Sequence, residues 1–175
     1  MLISLIVPVY NVSNVLKKTL DSIHKQSLQD MEVLCIDDCS TDCSLEMLKD
    51  AAVQDSRIRV LYQEKNMGVG LARKRAVSES KGKYIMFLDG DDSLKHDACE
   101  KLAALMEQTH VDILHFGTTI KSMNNISAEE AKKFRNFSKP YREFLERDDL
   151  YNACFQEHLF GFSLWNKIYR SEEHT

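Results

Sequence analysis

The sequence predicts an α/β fold, a mainly parallel sheet with helices packed on both faces. Three observations carry this. Short apolar runs alternate with longer amphipathic segments as far as residue 116. The runs are nearly continuous in apolar character, as strands buried on both sides require. Hydrophobic residues make up 43% of 175 residues, with only 6 Gly and 2 Pro, so one filled core without long linkers is expected.

Residues 2–7 read as the first strand and run into Pro8-Val9-Tyr10-Asn11. Ser13 suits an N-cap, and Val12, Leu16, Leu20 and Ile23 recur on one face of a helix through about Gln26. Residues 31–36 (MEVLCI) form the second strand, and 45–53 a helix facing inward with Leu45, Leu48, Ala52 and Val53. Residues 58–62 (IRVLY) are the third strand, and 69–80 a helix with Gly82 as its stop signal. Residues 84–88 (YIMFL) are the fourth strand, 97–108 a helix turning Ala98, Leu102, Leu105 and Met106 inward, and 111–116 the fifth strand. The pattern weakens after Thr119: 121–139 is polar, 141–155 suits a helix on Phe144, Leu145, Tyr151 and Cys154, and 159–169 is aromatic-rich.

A net charge of −4 with no basic stripe excludes nucleic acid as the expected partner. No apolar run reaches the roughly 18 residues of a membrane span. The apolar opening is short, lacks a basic leader and soon meets Pro8, so it reads as a strand and the cytoplasm is the expected compartment. Cys35, Cys39, Cys43, Cys99 and Cys154 are odd in number and read as free thiols; the first three recur every four residues but match no zinc pattern. No two of the six His have a metal spacing, and His115, among apolar neighbours, reads as a core residue.

Ligands of open parallel sheets sit beyond the carboxyl ends of the strands. Here those ends are acidic. Strand two leads into Asp37-Asp38-Cys39-Ser40-Thr41-Asp42, and strand four into Asp89-Gly90-Asp91-Asp92. Two carboxylates about 4 Å apart repel by roughly 4 kcal/mol at an effective dielectric of 20. A divalent cation offsets such crowding, and Mg²⁺ or Mn²⁺ favours carboxylate oxygen together with substrate phosphate. Single acids at these places also suit helix capping, as Asp42 or Ser44 and Asp92 or Ser93 could. Two clusters on one edge favour a metal and nucleotide site.

These residues resemble glycosyltransferase family 2. The resemblance rests on VPVYN, Asp37-Asp38 with Ser40 and Asp42, Asn66-x-Gly68 with Ala72-Arg73, and Asp89-Gly90-Asp91-Asp92, in that order. It covers Ile3 to about Leu105 and, more loosely, LWNKIY at 164–169. It implies a GT-A fold and metal-assisted transfer of a sugar from a nucleotide diphosphate donor, a UDP-sugar by expectation, to an acceptor hydroxyl with inversion. Residues 1–120 would be the nucleotide-sugar-binding core and 121–175 the start of an acceptor-side part. Pro8, Val9 and Tyr10 would line the base and ribose pocket, with Asp37 and Asp38 accepting from base or ribose. Asp91 would contact the ribose or the metal region, and Asp92 would bind Mn²⁺ or Mg²⁺. Asp89 would shape the motif and Arg73 meet phosphate or sugar. The implied acceptor is a saccharide or lipid-linked oligosaccharide of the cell surface. Peripheral association with the inner membrane face and a homo-oligomer are compatible with the family.

The sequence departs from the family in two places. Where the family often reads Ala-Arg-Asn-x-Gly, this chain has Ala72-Arg73-Lys74-Arg75-Ala76, and Lys74 and Arg75 read as a solvated helix face. Inversion needs a base for the acceptor hydroxyl. The family's acidic pair would lie beyond LWNKIY, and Asp148, Asp149 and Glu157 do not match it, so no catalytic base is assigned. Phe155, Phe160, Phe162 and Trp165 suit core, a subunit contact or an acceptor groove. Residues 170–175 are the translation of AGATCGGAAGAGCACACG, the start of a common sequencing adapter, so a longer natural chain is expected.

Three rival readings share parts of this pattern. A sugar-phosphate nucleotidyltransferase would carry a Gly-rich loop after strand one, where this chain has Pro8-Val9-Tyr10-Asn11. A phospho-receiver module would need an Asp after strand three, where Gln63-Glu64-Lys65 stands. A non-catalytic nucleotide-sugar binder would share the donor site and lack turnover.

Overall fold

The computed structural model describes residues 1–116 and 167–171. The predicted helix at 141–155, Cys154, His158, His174, the acids Asp148, Asp149 and Glu157, the aromatics Phe155, Phe160, Phe162 and Trp165, and residues 172–175 lie outside them. Two compact units divide the chain: Met1–Leu114 with Ile168–Thr175, and His115–Lys167. In the second, only His115, Phe116 and Lys167 are described. Burial there holds the His115 imidazole below its ordinary pKa, with Lys167 adding to the effect.

Ten elements follow in chain order: β1 (Ile3–Val9), α1 (Ser13–His24), β2 (Met31–Asp37), α2 (Ser44–Gln54), β3 (Ile58–Tyr62), α3 (Val69–Ser78), β4 (Tyr84–Phe87), α4 (Ala98–Thr109), β5 (Ile113–His115) and β6 (Lys167–Arg170). The sheet order is β3-β2-β1-β4-β6-β5. The pairs β1–β2, β1–β4 and β2–β3 are parallel, and β6 runs antiparallel to β4. The predicted strand–helix alternation is therefore the observed one, with an antiparallel strand that periodicity did not reveal. Among the described residues no helix is long and apolar enough to cross a membrane.

β1 starts one residue later than predicted and runs two residues further, through Pro8 to Val9. A proline inside a central strand would ordinarily cost a ladder bond. Here Val9 turns its carbonyl toward β2, where it accepts from Asp38 N–H, so Pro8 turns its missing donor the other way. On that side β4 has already ended at Phe87, with its last bond from Leu88 N–H to the Ile6 carbonyl.

Alternation along the strands sorts one sheet face into three bands. At the bottom, Ser4 Oγ donates to buried Glu32 at 2.7 Å, Lys81 N–H and Arg59 also donate to Glu32, and Gly82 N–H donates to Ser4 Oγ. In the middle, Ile6, Leu34, Ile36, Ile85 and Phe87 pack with Ala72 and Ala76 of α3. Small residues on α3 let it lie close to the sheet. At the top come Pro8 and Asp38. The residues between, including Ile3, Leu5, Val7, Val33, Cys35 and Met86, are also fully buried, so both faces are covered.

Several sequence expectations are corrected. Ser13 is the first residue of α1 and not its cap; its N–H is taken by Asp42 of the next loop, and Val12 N–H by Ser44 Oγ. Val53 and Leu105, expected inward, are exposed at 88% and 44%, while Cys99 and Ala103 are buried instead. Gly82 does not stop α3, which ends at Ser78. It is required by close approach, since a Cβ there would lie 2.4 Å from Ser4 N. Cys35, Cys39, Cys43 and Cys99 are free, with Cys35 and Cys99 buried and their thiols pushed up to about 12 by desolvation.

Two scaffold tests follow. Gly82→Ala is expected to destabilise the chain by about 1–3 kcal/mol, the cost of overpacking, read as a lower urea midpoint. Gly70→Ala, with nothing within 4 Å of its Cβ, should be neutral or stabilising by about 0.4–1 kcal/mol. The second test concerns Asp55, whose carboxyl bonds Arg57 at 2.7 Å, with His24 Nδ1 3.3 Å away. Arg57 in turn donates to the carbonyls of His24, Gln26 and Leu28 and so caps the end of α1. Hydrogen bonding to Arg57 holds Asp55 below the usual carboxylate range. The resulting stability is complete above the unfolded value of about 3.9 and is lost as pH falls through the folded one. Asp55→Asn should cost about 1–3 kcal/mol at neutral pH and flatten the acid limb of a stability–pH curve; an unchanged limb would assign it elsewhere.

Candidate nucleotide and cation site

The order β3-β2-β1-β4 reverses direction at β1, which makes the carboxyl ends of β1 and β4 the expected crevice. Beside it, at the carboxyl ends of β1 and β2, lies a cleft of about 250 Å³ lined by Pro8, Val9, Tyr10, Asp38, Asn66, Gly68, Val69 and Ala72. Of the predicted nucleotide residues, Pro8, Val9, Tyr10 and Asp38 line it together. Tyr10 keeps 46% of its surface exposed, leaving a ring face free at the rim.

Asp38 is almost fully buried and organises the opposite wall. Its Oδ1 accepts from Gln63 Nε2 at 2.6 Å and Met67 N–H at 2.8 Å, and its Oδ2 from Gly68 N–H at 2.8 Å. Gly68 has φ +84°, a conformation that a side chain would strain. This left-handed turn aims two successive amides at one carboxylate. Asn66, Gly68, Val69 and Ala72 are site residues that strand-end reading did not select. Their signal was the Asn-x-Gly ahead of a helix.

Asp37 does not line the cleft. It is buried beneath the following loop, where its Oδ2 accepts from Ser40 N–H at 3.0 Å and its Oδ1 has no hydrogen-bond partner among the described residues. That loop is clasped to the β1 loop. Asn11 N–H donates to Ser40 Oγ, Thr41 N–H donates to Asn11 Oδ1, and Asp42 takes Ser13 and Ser44 N–H. These bonds, led by Ser44, hold the Asp42 carboxyl far below the usual range. Asn11 and Cys39 both sit at positive φ, +51° and +64°.

Arg73 also stands outside the cleft lining. Its Nη2 donates to Asp89 at 2.5 Å, its guanidinium lies 5.9 Å from the Phe87 ring centroid, and its Nε is buried without a partner among the described residues. Asp89 is thus tied to α3. Lys74 is exposed, and Arg75 donates to the Tyr62 carbonyl and pairs with Glu79.

Asp91 and Asp92 are exposed, and their carboxylates have no hydrogen bond or ion pair to other described residues. Desolvation, then the charges of Asp91 and Asp89, pushes Asp92 above the ordinary carboxylate range. Among the described residues no three His, Cys, Asp or Glu side chains are arranged to enclose an ion. Two adjacent carboxylates are the donor chemistry that a Mg²⁺-type cation completed by ligand phosphate would require.

Asp38→Ala would leave the Met67 and Gly68 amides without their acceptor. The expected cost is about 1–3 kcal/mol, seen in urea melts together with faster hydrogen exchange at those two amides.

The model of the family "Glycosyl transferase family 2" matches residues 4–170. The uncharacterized glycosyltransferase EpsJ of Bacillus subtilis is 34% identical over 98% of this chain and 48% of its own length. Glycosyltransferase GlyA of Streptococcus pneumoniae is 32% identical over 97% of this chain and 24% of its own. The chain spans about half the length, or less, of the curated relatives it matches. Among solved structures, TarS 1-349 of S. aureus in complex with UDP is similar at a TM-score of 0.74 and 26% identity, over 97% of this chain and 47% of that one. TarS has also been solved with UDP-GlcNAc, at the same score and identity. The fold is GT-A, and the chain belongs to glycosyl transferase family 2.

Proposed function

We propose that this chain is the donor-binding part of a glycosyltransferase that moves a sugar from UDP to an acceptor hydroxyl, with inversion and with help from a divalent cation. The observation that carries the reading is the placement of the cleft at the ends of β1 and β2, with the unpaired acids Asp91 and Asp92 following β4 next door. The UDP and UDP-GlcNAc complexes of TarS support uridine as the base.

Each residue then has a chemical part. Pro8 and Val9 form an apolar floor and Tyr10 a flat face for a heterocycle. A carboxylate has about four acceptor sites. Asp38 spends three on Gln63, Met67 and Gly68, which leaves one for a base N–H or a ribose hydroxyl. Asp37 orders the loop that clasps the β1 turn. Asp91 and Asp92 would hold Mg²⁺ or Mn²⁺, and Asp89 fixes their backbone through Arg73. Lewis-acid stabilisation of the departing diphosphate is the chemistry a divalent cation supplies in such a place. Transfer breaks the bond from the anomeric carbon to the diphosphate oxygen and forms one to the acceptor oxygen, whose proton must leave with a base. In this reading residues 1–120 form the donor core and 121–175 begin the acceptor side. The acceptor would be a cell-surface saccharide or a lipid-linked one, met at the inner membrane face, by an enzyme free to act as a homo-oligomer.

Calorimetry with UDP, GDP and ADP, each with and without Mn²⁺, tests the reading. UDP should bind tightest and Mn²⁺ should strengthen it, and Asp92→Ala should abolish the strengthening while sparing metal-free binding. No preference for UDP would remove the uridine assignment. Equal metal dependence in the variant would remove Asp92 from the cation site.

A further inference from the structure

Inside a fold a helix ordinarily presents apolar residues. α1 does so at Leu16, Leu20 and Ile23, yet its fully buried Thr19 is polar and meets the acidic loop. Thr19 Oγ1 lies 2.8 Å from the Gly90 carbonyl oxygen and 2.7 Å from the Asp92 carbonyl oxygen. One hydroxyl carries one proton, so the two carbonyls share it in a three-centre contact. One helical step on, Ser22 Oγ accepts from Leu94 N–H at 3.1 Å. Just past the helix, Gln26 donates to the Lys95 carbonyl at 2.8 Å and accepts from Cys99 N–H at 3.2 Å. Thus Thr19, Ser22 and Gln26 hold the chain from Gly90 to Cys99 by its backbone.

The grip is tightest around Asp91. Its neighbours on both sides have their carbonyls drawn to Thr19, and Asp92 N–H donates to the Asp89 carbonyl at 3.0 Å. Gly90 sits where a Cβ would come 3.1 Å from Val12 Cγ2 and 3.4 Å from the Pro8 carbonyl, so the loop is pressed against the end of β1. With the backbone fixed inward, the Asp91 and Asp92 side chains remain outward and unpaired. Ligands held in place before a cation arrives lose less freedom when it binds.

We propose that Thr19 is a positioning residue for the cation site, its hydroxyl fixing the backbone on both sides of Asp91 so that the Asp91 and Asp92 carboxylates are preset for a divalent ion. This rests on the reading of those acids given above. The hydroxyl itself touches neither cation nor nucleotide. It acts through the loop.

The test compares UDP binding by calorimetry, with and without Mn²⁺, in the wild-type chain, Thr19→Val and Thr19→Ser. In the wild type Mn²⁺ should strengthen UDP binding. In Thr19→Val, which leaves two carbonyls facing a methyl group, that strengthening should fall about ten-fold, while metal-free UDP affinity stays within about two-fold. Thr19→Ser restores the hydroxyl and should restore most of the metal effect. Amide hydrogen exchange without metal should quicken from Asp91 to Leu94 in Thr19→Val alone. A Thr19→Val chain with undiminished Mn²⁺ strengthening overturns the positioning role and leaves the Asp91 and Asp92 assignment standing. Equal loss of metal-free and metal-linked binding also overturns it, because the effect is then general damage. A wild-type chain indifferent to Mn²⁺ removes the cation site, and the role of Thr19 with it. If Thr19→Val does not fold, Ser22→Ala takes its place. Freeing Leu94 N–H should weaken the metal effect about three-fold, and no weakening would overturn the proposal.

Discussion

The parallel pairing of β1 with β2 on one side and β4 on the other places every chemical group of the site. The register sets Pro8 beside Ile36 and Val9 beside Asp37, and stops β4 at Phe87, opposite Ile6. Because side chains alternate, Pro8 and Asp38 emerge on the face that α3 covers, above the apolar band of Ile6, Leu34 and Ile36. A slip by one residue would turn Asp38 to the other face and its Met67 and Gly68 partners would be lost. β4 ends three residues before β1 does, and this opens the space into which Asp89 to Asp92 fold. The same early end makes Pro8 tolerable in a central strand.

α3 depends on the same frame from the other side. Ala72 and Ala76 are small enough for close packing, and that closeness lets the turn at Gly68 reach Asp38 while Arg73 reaches Asp89. One helix therefore ties the Asp38 side of the cleft to the acidic loop after β4. Its charged residues divide accordingly: Arg73 turns inward to a carboxylate and Lys74 outward to water. At the opposite end of the sheet, Glu32 collects Ser4, Arg59 and Lys81 N–H, so the α3–β4 connection is fixed below as α3 is fixed above.

Much of this was legible in the sequence because it follows from periodicity. The first five strands and four helices come from runs of Leu, Ile and Val, and strand-end acids mark the functional edge of a parallel sheet without further information. What periodicity cannot carry is pairing between distant segments. β6 is four residues long and antiparallel, and KIYR has no pattern that names β4 as its partner. Gly82 looked like a helix stop because its real constraint, the Ser4 backbone 78 residues earlier, is invisible locally. Asp37 and Asp38 are adjacent acids with the same signal, yet alternation buries one under its own loop and turns the other to the cleft. Thr19 was silent for the same reason: a threonine on an amphipathic helix looks like surface until the backbone it grips is in view.

Apart from His110, left-handed at the end of α4, the broken local rules among the described residues gather in one region. Glu32 and Asp55, away from the cleft, have their carboxylates satisfied by named donors. Around the cleft, Asn11 and Cys39 take left-handed backbone, and among the described residues Asp37 keeps one buried oxygen unpaired and Asp91 and Asp92 face each other's charge with no ion pair, Lys18 acting on Asp92 only from further off. A left-handed non-glycine residue costs roughly 1–2 kcal/mol, and an unpaired buried acceptor about as much again. A sequence selected for stability alone would relieve the backbone cost with glycine at position 39. The clasp from Asn11 to Ser40 and Thr41 and the grip of Thr19 on Gly90 and Asp92 hold those costs in place. Under the proposed function, a frame that restrains its loops this firmly while leaving the Asp91 and Asp92 carboxylates without a partner among the described residues would be completed by a divalent cation together with the anion it brings.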